Sequence, residues 1–180
     1  MISKDVENEP EISAGVVVIR DDPKKGPCVL ALSVYGKLDL PKGHLEKTHF
    51  EAALDVDPIL LCAADELFQE ADYTLLPMGS EMLVSEPVAV MITPKRFMCR
   101  NIDRKTGRTR KNVHLYAAET LCSKAKIKPN PDNGIREHDE VVWVPFDKVE
   151  GSKIHAYLIP GVMWAIDQYS KSRPARKIAT

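Results

Sequence analysis

Glu66 and Glu70 stand four residues apart in the stretch Asp65-Glu66-Leu67-Phe68-Gln69-Glu70-Ala71-Asp72-Tyr73. On a helix that spacing puts both carboxylates on one face, where they can share a divalent cation that takes oxygen ligands and bridges to phosphate. Gln69, beside them, offers a neutral carbonyl oxygen. Upstream, Leu38-Asp39-Leu40-Pro41-Lys42-Gly43-His44 sets a lysine and a histidine around a glycine, groups that suit a substrate anion. Downstream, Arg136-Glu137-His138-Asp139-Glu140-Val141-Val142-Trp143 supplies a carboxylate, Glu137, and an imidazole, His138. The imidazole can serve as a base because its ordinary pKa lies close to neutral; Glu140 is a weaker choice.

A helical pair of glutamates by itself is more often a solvated face, so the surrounding elements decide. With 180 residues, 44% of them hydrophobic, the chain suits one domain with a normal core and leaves no room for a second. A formal net charge of -1 excludes a surface built as a whole to grip nucleic acid, so any polyanion contact must be local. Cys28, Cys62, Cys99 and Cys122 are widely spaced without a paired C-x-x-C, which reads as reduced, mostly buried thiols rather than a zinc site or disulfide framework. No apolar run reaches the roughly 20 residues of a membrane span, and the polar start MISKDVENEP is not signal-like. The expected location is cytoplasmic, with the nucleus equally compatible.

The β-branched run Ile12–Arg20, the turn-forming stretch Asp21–Pro27 and Cys28–Val34 read as strand, loop, strand. A helical stretch follows from about Thr48 to Ala71, which Pro58 must interrupt or kink. Met82–Thr93 and Asn112–Glu119 are strand-like, with the charged segment Asn101–Lys111 as a long hairpin tip, and Val141–Pro145 is a further short strand. Val162, Met163, Ile166 and Tyr169 recur at helical spacing after Pro160, predicting a last amphipathic helix. This order implies a mixed sheet with helices on its faces. Residues 1–11 and 171–180 are expected to be loose tails, the second basic through Lys171, Arg173, Arg176 and Lys177.

From about Ile12 to Tyr169 the chain resembles the Nudix hydrolases, and within them the subgroup that cleaves dinucleoside polyphosphates. The resemblance rests on two blocks. Leu38–His44 is similar to that subgroup's Trp-x-x-Pro-Lys-Gly-His segment, with Leu38 in place of the tryptophan. Glu137-His138, with Trp143 six residues beyond Glu137, resembles its Glu-His segment. What this implies is an α/β (α+β) fold, a mixed β-sheet sandwiched between helices, in a single domain over residues 12–170. It also implies a hydrolase that cleaves phosphoanhydride bonds with Mg2+ or Mn2+. The family's metal-binding glutamates fall on Glu66, Gln69 and Glu70, and its backbone carbonyl ligand falls on Lys42, whose ammonium matches a phosphate contact. Glu137 matches a general base or further metal ligand.

The box is altered. His49 replaces a glutamate, Asp65 an arginine that orients the neighbouring glutamates, Gln69 a third carboxylate and Asp72 a glycine. Gly43 and Asp65 lie 22 positions apart, eight more than the family pattern, so residues near Asp55–Cys62 look inserted. The alternative expectation is therefore a catalytically inactive Nudix-fold protein that binds nucleotide or RNA or acts as a scaffold. His44, His138 and Tyr35 are candidate substrate contacts, Tyr35 and Phe97 as stacking partners for a base. Lys95–Lys111 carries eight basic residues (Lys95, Arg96, Arg100, Arg104, Lys105, Arg108, Arg110 and Lys111) against the single acid Asp103, a candidate RNA or polyphosphate contact.

Overall fold

The computed structural model describes residues 9–53, 55–130 and 133–173. Ala14 and Val16–Ile19 are fully buried, so the first strand is apolar on both faces and must lie inside a sheet. It does. Strand β1 (Glu11–Asp22) pairs antiparallel with β2 (Gly26–Val34) through a turn held by the Asp22 carboxylate, which accepts from the Lys24 and Lys25 amides at 2.9 and 3.0 Å. Two short strands follow, β3 (Lys37–Asp39) against β2 and β4 (Lys42–His44) against β1, and then two helices, α1 (Lys47–Ala52) and α2 (Pro58–Ala71). Next come β5 (Thr74–Leu76), β6 (Val88–Ile102), β7 (Thr109–Glu119), β8 (Glu140–Pro145), a 3-10 turn at Phe146–Lys148 and α3 (Ile159–Ser172). The sheet order is β3-β2-β1-β7-β6-β5, with β4 beside β1 and β8 beside β2. β1–β7 and β5–β6 are parallel and the remaining pairs antiparallel, which makes the sheet mixed.

Helices cover both faces. Cys62, Ala63, Leu67 and Ala71 of α2 pack on Ala14, Val16, Val18 and Tyr116, while Val162, Ala165 and Tyr169 of α3 pack on Val17, Ile19, Val113 and Leu115. Alternate residues of β1 feed the two cores, which fixes its register because a slip of one residue would exchange them. All four cysteines are buried and free.

The helical stretch read as Thr48–Ala71 divides. Pro58 sits at the first position of α2, where its missing N–H costs nothing, and Asp57 caps the helix by accepting from the Ile59 amide at 2.9 Å. Residues 58–62 of the supposed insertion are thus the opening turns of α2; α1 closes at its C-cap Ala53 and α2 opens at its N-cap Asp57. The strand placed at Met82–Thr93 instead starts at Val88, after Pro87, and β6 runs on to Ile102. The hairpin tip is therefore shorter than Asn101–Lys111: residues 103–108 turn around the Asp103 carboxylate, which accepts from the Lys105 and Thr106 amides. Of the tails, Glu11 belongs to β1 and residues 171–172 to α3, and Arg173 is held by Asp21 at 3.3 Å and Glu119 at 3.0 Å. Residues 1–8 and 174–180, including Arg176 and Lys177, lie outside the described residues.

Candidate active site

The site forms where β4 passes over α2. The β1–β4 register, with Val16 N–H bonded to Pro41 C=O and Leu45 N–H to Ile12 C=O, leaves Lys42 in a position whose backbone groups point away from β1. The freed Lys42 N–H donates to Glu70 Oε2 at 2.9 Å. One residue on, Gly43 lies so close to α2 that a Cβ there would overlap the Glu66 carboxylate. Glycine is required by that approach. Cys62, a turn earlier on α2, points its thiol at the His44 carbonyl at 3.3 Å and so holds the same strand.

Glu66, Gln69, Glu70, Glu137 and His138 line one cavity of about 420 Å3 together with Asp39, Lys42, His44, Lys111 and Asn130. The two sequence blocks therefore meet in space. His138 is 8% exposed and its Nε2 lies 2.8 Å from Glu70 Oε1, while its Nδ1 has no partner among the described residues. Burial works against the charged imidazole, yet the hydrogen bond and charge of Glu70 raise its pKa above the ordinary value. Glu70 is thus gripped at both oxygens. Burial first, and then the charges of Glu70 and Glu137, push the Glu66 carboxyl up to about 7. Glu137 is held from outside by the Asn130 amide at 2.6 Å.

The other candidates are placed differently. The Lys42 ammonium is buried and paired with Asp39 at 2.9 Å; burial lowers its pKa, but Asp39 and the neighbouring Tyr157 and Glu70 more than offset this. Its charge is already matched within the cavity wall. Tyr35 is 97% exposed at the β2–β3 turn, with φ at 46°, and does not line the cavity. Phe97 is unavailable for stacking on a base because it packs against Trp164 of α3, ring centroids 5.8 Å apart. His44 remains at the rim, where its Nε2 lies 3.1 Å from Glu11 and 3.2 Å from Lys111. Glu140 opens β8 and is exposed. Sequence spacing does not single out Asp39, which lies inside the Leu38–His44 block, or Asn130, seven residues before Glu137, and it names Lys111 only with the basic hairpin, because their side-chain directions follow from the fold.

Three of the altered positions acquire physical roles. His49 is 9% exposed; its Nδ1 accepts from the Glu46 amide at 3.0 Å, and its Nε2 faces Asp65 Oδ2 at 3.5 Å. The two departures from the family pattern thus face each other. Asp72 ends α2 in the left-handed conformation, φ 62° and ψ 29°, which explains a glycine preference there and which aspartate tolerates better than most residues. It is paired with Lys128, whose ammonium also sits 3.5 Å above the Phe68 ring centroid.

No protein-family model matches the chain, and no curated protein matches it by sequence. Solved structures do. The Nudix domain of Shewanella oneidensis NrtR, in complex with ADP ribose, superposes with a TM-score of 0.58 at 13% identity, over 94% of this chain and 92% of that one. A C. elegans Ap4A hydrolase, as a binary complex, gives 0.54 at 16% identity over 91% and 99%. The fold is that of the Nudix hydrolases. A bifunctional NMN adenylyltransferase/ADP ribose pyrophosphatase from Francisella tularensis, complexed with AMP and a Mn ion, superposes over 43% of its length (92% of this chain, TM-score 0.53, 14% identity).

Among the described residues, no three His, Cys, Asp or Glu side chains are gathered into a ready-made cation site. The donor chemistry still fits a hard divalent ion, because burial, and then the charges of Glu70 and Glu137, oppose ionisation of Glu66, and a cation would relieve that.

Proposed function

We propose that the protein is a metal-dependent pyrophosphohydrolase acting on a dinucleoside polyphosphate or a related nucleoside-diphosphate-linked compound. The observation that carries this is the Glu66 carboxylate lying against Gly43, beside Glu70 and Glu137 in one polar cavity. Proteins that share the Nudix fold at low identity bind ADP ribose or are named as Ap4A hydrolase, which supports the substrate class. Mg2+ or Mn2+ would be held by Glu66 and Glu70, with the Gln69 and Lys42 carbonyl oxygens as neutral donors. When bound, such an ion supplies charge to the phosphate oxygens and acidifies water.

The chain's own residues do the rest. His138 and the Lys42 amide hold Glu70 in one rotamer, which spares the entropy of ordering it on binding. Glu137, at the exposed side of the cavity and bonded to the Asn130 amide, would take a proton from an attacking water. His44 at the rim meets a phosphate oxygen as it enters. The Lys42–Asp39 pair stiffens the wall rather than reaching the substrate.

The test is product analysis after incubating wild type and Glu70→Gln with Mn2+ and a panel of diadenosine polyphosphates, capped RNA and diphosphoinositol phosphates. Cleavage by the wild type and its loss, by about 10² or more, in a variant that keeps its melting temperature is expected; equal activity in both removes the mechanism. One observation favours a second reading, a non-catalytic Nudix-fold binder of nucleotide or RNA. Glu70 already has both oxygens engaged and Gln69 is neutral, so cation affinity could be too weak for turnover. Calorimetric titration with Mn2+ separates the two, since the binder reading requires no measurable uptake.

A further inference from the structure

Lys111 lines two cavities at once: the one over Glu66 and Glu70, and a groove of about 580 Å3 along the β6–β7 hairpin whose wall carries Arg108 and Arg110 together with the acids Glu9, Glu11 and Asp103, the last paired with Arg110. The basic hairpin is therefore continuous with the candidate site. At the junction stands a carboxylate. Glu11 Oε2 lies 3.1 Å from His44 Nε2 and 3.5 Å from Lys111 Nζ. Strand register enforces the grouping, because Glu11 is opposite Lys111 in the β1–β7 pair and Ser13 is opposite His44 in the β1–β4 pair.

Beside them, Ser13 is 1% exposed and lines the same cavity, and its hydroxyl has no hydrogen-bond partner among the described residues. Buried hydroxyls are ordinarily satisfied, so an unpartnered one at a cavity wall next to an ammonium and an imidazole points to a ligand oxygen. We propose that His44, Lys111 and the Ser13 hydroxyl form an anion subsite for a phosphate group, and that Glu11 occupies it as an internal stand-in that phosphate displaces. This deepens the pyrophosphohydrolase reading and rests on it for the identity of the substrate. A phosphate held here lies beyond those at Glu66 and Glu70, so the substrate is an extended polyanion that runs toward Arg108 and Arg110. Lys111 donates as ammonium, Ser13 donates its hydroxyl proton, and the His44 ring donates in the tautomer that carries its proton on Nε2. All three complement phosphate oxygens.

Binding of inorganic tripolyphosphate and of a short single-stranded RNA, measured by calorimetry in EDTA at low salt, tests the subsite without turnover. Glu11→Ala should bind about three- to fivefold tighter than wild type and Lys111→Ala about three- to fivefold weaker, the range an exposed charge contact supplies. Ser13→Ala should also bind more weakly while its melting temperature stays within a degree or so of wild type. Whichever probe is the more sensitive to Lys111→Ala identifies the source of the phosphate, a polyphosphate chain or a nucleic-acid backbone. Unchanged affinity for both probes in Glu11→Ala and Lys111→Ala would reduce the contact to a surface ion pair and overturn the subsite. Because the readout is binding without metal, a wild type that hydrolyses nothing would defeat the enzymatic reading while leaving this result to stand or fall alone.

Discussion

The Glu66 carboxylate and the Gly43 backbone share a space that admits nothing more, and this makes a single hydrogen atom at position 43 a packing requirement. A methyl group there has two outcomes: strand β4 moves off α2, or Glu66 swings away from Glu70. The second costs less, because the far end of a flexible side chain yields more readily than paired backbone. Gly43→Ala should therefore reduce Mn2+ affinity and turnover at least tenfold while destabilising the fold by only about 1 kcal/mol, since most large losses of stability come from disrupted cores. Calorimetric Mn2+ titration beside thermal melts checks this, and a variant that melts far lower with its affinity intact would show that the contact serves packing alone. Gly15 has the same character on the other side of β4, where a Cβ would overlap the Pro41 carbonyl oxygen and Lys42 Cβ.

Helix α1 and the break before α2 put the altered box residues in order. His49 lies near the end of α1 and Asp65 in the middle of α2, and their side chains face each other across the junction, the buried ring fixed by its bond from the Glu46 amide. The positions that carry glutamate and arginine in the family resemblance carry histidine and aspartate here, and the two side chains meet at 3.5 Å. His49→Glu should then place two acids together and lower stability by about 1 kcal/mol, and adding Asp65→Arg should recover at least half of that loss. A double-mutant cycle on melting free energies measures the coupling, and additivity of the two changes would show that the contact is incidental. The longer elements were legible in the sequence. β1, β2, β7, β8 and α3 followed from β-branched composition and apolar periodicity, and Pro58 marked an interruption of the helical stretch, whereas the three-residue strands β3, β4 and β5 were not read because so short a run carries no period. The β6 boundary was missed because Met82–Glu86 shares strand-like composition without a partner strand to pair with.

Across the whole molecule, two groups of the site make stability depend on pH in the same sense. Glu66 titrates near 7 in the folded chain against an ordinary value of 4.5, so the fold holds an extra proton between those values and loses stability as pH rises through them. His138, raised above 6.5 by Glu70, contributes stability that is present below its ordinary pKa and lost as pH climbs through the folded value. Without divalent ions the melting temperature should therefore fall from pH 5 to pH 8. The Glu66 share, on the order of 2 kcal/mol after allowing for its solvent contact, corresponds to about 4–8 °C. Glu66→Gln should flatten that part of the profile, and Mn2+ at pH 8 should restore the wild type but not the variant; parallel profiles for the two proteins would contradict the assignment. By itself the sequence determined which residue types carry the chemistry, the spacing that puts Glu66 and Glu70 on one helical face, and an element order that yields a mixed sheet between helices, because these are local properties of three to twenty neighbouring residues. Only the tertiary structure decided that Glu70 is gripped by Lys42 and His138, 28 and 68 residues away, that His49 meets Asp65, and that Lys111 arrives beside His44. Such pairings depend on strand register and sheet order, which periodicity leaves open and which the burial of two apolar cores, one on each face of β1, selects.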